Sequence, residues 1–167
     1  MTSVSYIFVF SVLAVLLEAL LRSLGIFLPL LGLFVFYAVV VFGPRTGFTL
    51  AVLGGAALDF LLGHSTPVSA LALSLTGGLS LFWLYKVESD SIPMLALPGA
   101  LIPVLAYVPL MFWNGGIVFL FRHLPDLFLS SFCTAFLLPL EILMLDLLNE
   151  RLELELYLNA KLERRRS

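Results

Sequence analysis

Long stretches of this sequence contain no Asp, Glu, Lys or Arg: Met1–Leu17, Ser23–Pro44, Thr46–Leu58, Phe60–Tyr85, Ser91–Phe121 and Leu127–Leu140. A chain of 167 residues has too little interior to hide all of them from water. Hydrophobic residues make up 61% of the chain and charged residues 12%. Soluble domains run at about 45–50% and about 25% respectively. The pattern excludes a water-soluble globule and a disordered chain, and makes lipid part of the solvent. A net charge of −2 provides no basic field for nucleic acid. The single Cys133 provides neither an internal disulfide nor a cysteine metal site.

A helix crosses a bilayer with about 20 mostly apolar residues. Breaks at Ser23-Leu24-Gly25, Gly43-Pro44-Arg45, His64-Ser65-Thr66-Pro67, Glu88-Ser89-Asp90-Ser91 and Trp113-Asn114-Gly115-Gly116 divide the runs. They predict an all-α polytopic membrane protein with six spans near 4–22, 26–42, 46–63, 67–86, 93–113 and 125–148. The stub Ile117–Leu124 is too short to span and belongs at the interface or leads into the last helix. Met1–Leu17 has no basic flank and is followed by Glu18, so the first helix is expected to be retained rather than cleaved.

Basic residues set the orientation. With the N-terminus in the cytoplasm, Arg45, Lys86, Arg151, Lys161, Arg164, Arg165 and Arg166 fall inside, and Arg22 and Arg122 outside. Six spans then leave both termini cytoplasmic. Trp83 and Tyr85 are expected at the inner interface and Trp113 at the outer one. Residues 1–148 form the bundle. Residues 149–167 form a helix-prone, leucine-faced, basic tail suited to anionic headgroups or a cytoplasmic partner. No internal repeat is visible.

Five carboxylates lie in or near the spans, where charge is costly: Glu18, Asp59, Asp126, Glu141 and Asp146. Asp59 sits on a stripe with period four, Ala51, Gly55, Asp59 and Gly63, and the next helix offers Ala70, Ser74 and Gly78 at the same period. Residues four apart share a helix face, and small residues let backbones approach. A hairpin centred near Ser65 brings Asp59 level with about residue 71, so that Ser69 or Ser74 can donate to its carboxyl. Packing and hydrogen bonding are the expected role, with transport or proton relay as the competing one. Glu18 is expected near the interface, reaching water. Glu141 follows Pro139, which frees a carbonyl for local bonding. Pro98, Pro103 and Pro109 predict a fifth helix that is either curved or broken.

Catalytic signatures are absent from the sequence. His123 and Asp126 are three residues apart, too few ligands for a metal site. Asp59, His64 and Ser65 match a triad in type only, because His64 and Ser65 are adjacent. No phosphate loop, dinucleotide fingerprint or other cofactor motif occurs. Gly54-Gly55-Ala56-Ala57-Leu58-Asp59 looks faintly like a lipoprotein signal peptidase motif, but the partner motifs of that family are missing.

The stretch from Phe42-Gly43-Pro44-Arg45-Thr46-Gly47 through Gly54-Gly55-Ala56-Ala57-Leu58-Asp59-Phe60-Leu61-Leu62-Gly63 to Ser65-Thr66-Pro67-Val68-Ser69-Ala70-Leu71-Ala72-Leu73 resembles MreD, the rod shape-determining membrane protein family. That family has a basic inner loop, a glycine-bearing helix ending in Leu-Asp-x-x-x-Gly, and a Pro-led helix rich in Ala and Leu; here Pro67 leads. The match covers about a quarter of the chain. The loop has one Arg where the family is often richer, and Ser69 stands where the family often has glycine.

The resemblance implies a non-enzymatic scaffold of cell-wall elongation in the bacterial cytoplasmic membrane, without a cofactor. It implies association with MreC, a single-span periplasmic protein, and through it with the MreB filament and the RodA–transpeptidase peptidoglycan synthase. It also implies a six-helix bundle similar to the substrate-binding subunits of energy-coupling-factor transporters. His64, Ser65, Thr66, Trp113, Asn114, Arg122 and Asp126 are then candidate partner contacts on the outer loops. The alternative is a vitamin-binding transporter subunit, with Glu18, Asp59, His64, Asn114 and Asp126 as candidate pocket residues.

Overall fold

The computed structural model describes residues 3–86, 92–113, 116–151 and 163. The described residues are helical, with no strand among them. The helices are α1 Ser3–Ser23, α2 Leu30–Val41, α3 Pro44–Leu61, α4 Val68–Lys86, α5 Ala96–Trp113, α6 Ile117–Arg122 and α7 Leu124–Arg151, with a 3-10 turn at Ile92–Leu95 before α5. By length and composition three helices can cross a membrane: α4, α5 and the Leu124–Leu148 part of α7.

α2 is the hub. It packs against α1, α3, α4, α5 and α7, and every residue from Leu31 to Val41 is buried. A helix enclosed on all sides has no solvent face to keep polar, which is why this segment is apolar all round. It spans 12 residues, about 18 Å at 1.5 Å per residue, less than the hydrocarbon thickness of about 30 Å. The sequence-based span 26–42 was therefore too long at its start. Residues 26–29 form the loop from α1, and Pro29 stands at the N-cap of α2. The stub after α5 forms the short helix α6.

The outer surface is apolar. α7 turns Phe128, Leu129, Phe132, Phe136, Leu140 and Leu147 outward, and α1 does the same with Phe8, Leu13, Leu16 and Leu20. Exposed apolar surface on this scale needs a non-aqueous neighbour. Tyr85 and Trp113 are exposed, whereas Trp83 is turned inward. It is 4% exposed and packs in the core with Phe36, Tyr37, Leu84 and Leu145.

Close backbone contacts lock the helices together. A Cβ on Gly55 would meet the Cα of Ala70 at 2.4 Å, so α3 and α4 touch backbone to backbone there. A Cβ on Gly99 would meet the carbonyl oxygen of Thr134 at 2.5 Å, joining α5 to α7. Ala51 of the same α3 stripe is fully buried beside Val35 and Leu73. Gly78, expected on the packing face of α4, instead looks into open space, and Gly77 makes the contact, with Phe48. One residue along a helix is a turn of about 100°, enough to exchange the inner face for the outer one. α5 runs unbroken through Pro103 and Pro109.

The glycines at 55 and 78 provide an internally controlled test. Gly55→Ala should lower stability by about 1–3 kcal/mol through overpacking. Gly78→Ala should be neutral or slightly stabilising, because alanine is the better helix former and the site is open. Thermal unfolding of the two purified variants in the same detergent checks this.

Candidate functional site

Two buried carboxylates cap the helices that follow them. α3 ends in a left-handed glycine, Gly63 at φ +69°. The Gly63 N–H donates to the Phe60 carbonyl at 3.2 Å and the His64 N–H to the Asp59 carbonyl at 2.9 Å, the Schellman arrangement. This ending turns the chain back and aims the Asp59 side chain at the start of α4. Asp59 Oδ1 accepts the Ser69 N–H at 2.9 Å, and Oδ2 accepts the Ala70 N–H at 3.2 Å. These amides belong to the first turn of α4, where no carbonyl of the helix can reach them. The His64 ring closes the arrangement, with Nδ1 3.1 Å from Asp59 Oδ1.

The expected hairpin partner of Asp59 is thus found, through different atoms. The donors are the backbone amides of Ser69 and Ala70, not a serine hydroxyl. The Ser74 hydroxyl donates to the Ala70 carbonyl within α4 at 2.8 Å. Pro67 precedes α4 and its carbonyl accepts the Leu71 N–H.

Glu18 repeats the device between α1 and α2. α1 also ends in a Schellman turn, at Gly25 with φ +79°. Glu18 Oε2 accepts the N–H of Leu31 in the first turn of α2 at 2.8 Å, while Oε1 accepts from the Arg22 guanidinium at 2.6 Å. Glu18 does not reach water, contrary to what its place near the end of the span predicts. It is 1% exposed, because α2 has no side-chain cap of its own and draws one from the neighbouring helix. Arg22 also lies over the Phe27 ring, 4.9 Å from its centroid. Of the other carboxylates, Asp146 lies 3.3 Å from the Tyr37 hydroxyl, and Glu141 lines an apolar groove between α1 and α7.

The ends of α1 and α3, the later part of α5 and the start of α7 line an open cleft of about 620 Å³. Arg22, Phe27, His64, Tyr107, His123, Asp126, Ser130 and Cys133 are among its lining residues. Phe27 packs on Tyr107 with centroids 4.4 Å apart, and Phe119 on His123 at 4.2 Å. His123 Nδ1 lies 2.9 Å from the Phe119 carbonyl, which can only accept, so Nδ1 carries a proton. Ser130 Oγ and Arg22 Nε are buried without a hydrogen-bond partner.

The expected contact residues fall around this end. His64, Ser65, Trp113, Arg122 and Asp126 are exposed and Thr66 is half-buried, while Asn114 lies outside the described residues. Of the vitamin-pocket candidates, His64 and Asp126 line the cleft, and Glu18 and Asp59 are spent as caps. Sequence reasoning missed Arg22, Tyr107 and Ser130. Their only signal was a polar group in an apolar run, and three helices, α1, α5 and α7, had to be brought together to join them. No group of three or more His, Cys, Asp or Glu side chains is placed to hold a metal among the described residues. The tail at 152–162 and 164–167 lies outside the described residues.

No protein-family model, curated protein or solved structure matches the chain.

The caps predict a graded response. Asp59→Leu should cost about 3 kcal/mol or more, since several buried donors lose their acceptor at once. Ser74→Ala should cost less than about 1 kcal/mol, because its hydroxyl bonds only within its own helix. Glu18→Leu should cost about 3–5 kcal/mol by leaving the Arg22 charge buried and unpaired, and adding Arg22→Leu should restore part of the loss. Melting temperatures in a fixed detergent decide each case.

Proposed function

We propose that this protein is a non-enzymatic membrane scaffold of the MreD kind, working in bacterial cell-wall elongation. The observation that carries the reading is the use made of the Leu-Asp-x-x-x-Gly…Pro segment, on which the resemblance rests. Asp59 spends its oxygens on the α4 amides and on His64, and Gly63 supplies the left-handed turn between them. Such a segment fixes the angle between two helices, which is what a scaffold asks of it.

In this reading the chain is a six-span bundle of the inner membrane, similar in architecture to energy-coupling-factor binding subunits. Its basic loops and both termini face the cytoplasm. The start of α3 at Arg45 and the end of α4 at Lys86 put two basic residues at the same end of the α3–α4 hairpin, which supports that orientation. The end bearing His64, Ser65, Thr66, Trp113, Arg122 and Asp126 then faces the periplasm, available to an MreC-like single-span protein. Through that partner the scaffold connects to MreB and to the RodA–transpeptidase synthase.

Affinity purification of the tagged protein from native membranes, with mass spectrometry of what accompanies it, tests the reading. The expected companion is a single-span protein with a periplasmic coiled coil. Recovery of a second polytopic subunit with ABC-type ATPases would replace the scaffold by a transporter subunit. In a rod-shaped host lacking its own copy, the wild-type gene should restore rod shape. Asp59→Leu should fail to do so, with reduced recovery of the companion.

A further inference from the structure

A groove of about 690 Å³ between α1 and α3 opens on the outer surface of the bundle. It is basic at one end and apolar along the rest. We infer that it holds an anionic phospholipid of the inner leaflet, with one acyl chain in the groove and the headgroup phosphate on Arg45. The inference rests on the six-span reading of the bundle and is independent of the scaffold role.

The two walls run in the same direction, because both are antiparallel to α2. In α1, Phe10 stacks on Phe34 and Glu18 meets Leu31. In α3, Gly47 lies against Val39 and Gly54 against Leu31. The α3 wall is a period-four stripe, Arg45, Thr49, Leu53 and Ala57, separate from the buried stripe of Ala51, Gly55 and Asp59. Along it the chemistry passes from a guanidinium through a hydroxyl to hydrocarbon, the same order as in an amphiphile. Phe8, Val12 and Leu16 of α1 face it with the same period. From Arg45 to Ala57 the helix rises about 18 Å at 1.5 Å per residue. One leaflet of a hydrocarbon core about 30 Å thick measures about 15 Å. The groove is therefore about one leaflet deep and begins at the level of a basic residue.

Charge selects the headgroup. Arg45 is exposed and has no ion-pair partner among the described residues, and no Asp or Glu lines the groove. The Thr46 and Thr49 hydroxyls donate to the carbonyls of Phe42 and Arg45, which leaves the Arg45 guanidinium as the side-chain donor for a phosphate. α1 and α3 both bring their N-terminal ends here, and those ends favour an anion. A free phosphate would leave the apolar length of the groove unfilled, and a zwitterionic lipid would bring its own cation beside Arg45.

Native mass spectrometry of the full chain, released from micelles holding equal amounts of phosphatidylglycerol and phosphatidylcholine with matched acyl chains, tests the site. The wild type should retain phosphatidylglycerol over phosphatidylcholine by about fivefold or more, the worth of one basic residue beside an anionic surface. Arg45→Gln should lose that preference and Lys86→Gln should keep it. Ala57→Trp fills the deep end of the groove from an exposed position, and should lower retention of phosphatidylglycerol although Arg45 is intact. All three variants should keep the wild-type melting temperature in lipid-free micelles. An excess of glycerol 3-phosphate should not displace the lipid. Equal retention of the two lipids, or a preference unchanged in Arg45→Gln, would overturn the charge assignment. Retention unchanged in Ala57→Trp, the result for a groove that takes a partner's helix instead, would overturn the acyl-chain site, and so would displacement by glycerol 3-phosphate. In lipid vesicles, Leu53→Cys in a Cys133→Ser background should resist a membrane-impermeant maleimide. Labelling there would overturn the six-span reading and the site together, whereas the other failures leave the six-span reading standing.

Discussion

The architecture depends on a carboxylate from one helix satisfying the first amides of the next. A helix start buried in an apolar bundle exposes N–H groups that neither water nor the helix itself can reach. α2 has Pro29 at its N-cap and α4 has Pro67 just before it, and neither residue has a side-chain acceptor. Glu18 and Asp59 supply the missing oxygens from the preceding helix. A buried carboxylate in turn needs a positive or donating partner. Arg22 and His64 fill that place, four and five residues further along. The two hairpins share this solution although their sequences show no repeat, because both meet the same physical problem after the same glycine-terminated turn.

The caps fix where each hairpin closes, and the close backbone contacts fix how tightly. Gly55 lies one turn before Asp59, so the same face that delivers the carboxylate also admits the α4 backbone. A side chain at 55 would push the helices apart and draw Asp59 away from the amides it caps. The second tight contact, Gly99 on Thr134, joins α5 to α7. Between these two pairs runs α2, whose burial on every side makes it the element the others are built around.

The separation of roles among the acidic residues bears on function. Those that sequence alone marks as candidates for transport chemistry, Glu18 and Asp59, are committed to holding the fold. Asp126 makes no such bond among the described residues, and it stands beside the cleft that the caps help to shape. The capped hairpins place the side chains of the proposed partner surface, because each cap fixes where its hairpin closes.

Much of the local structure was legible in the sequence. Charge-free runs and glycine or proline breaks located the helices to within a few residues, since those signals act within a single turn. The period-four stripe and the short loop around Ser65 brought Asp59 to the start of α4, because helical periodicity and loop length suffice for a hairpin. What the sequence did not contain was the rotation and depth of each helix. Trp83 turns into the core, and Gly77 rather than Gly78 makes the packing contact. Glu18 is buried because Leu31, 13 residues away and across a loop, needs its oxygen. The cleft arises only where Arg22, His64, Tyr107, His123 and Asp126 converge from separate segments. Composition and periodicity determine which stretches become helices and which faces are apolar. Only the packed bundle decides which polar groups meet, because that depends on angles between helices that no single helix specifies.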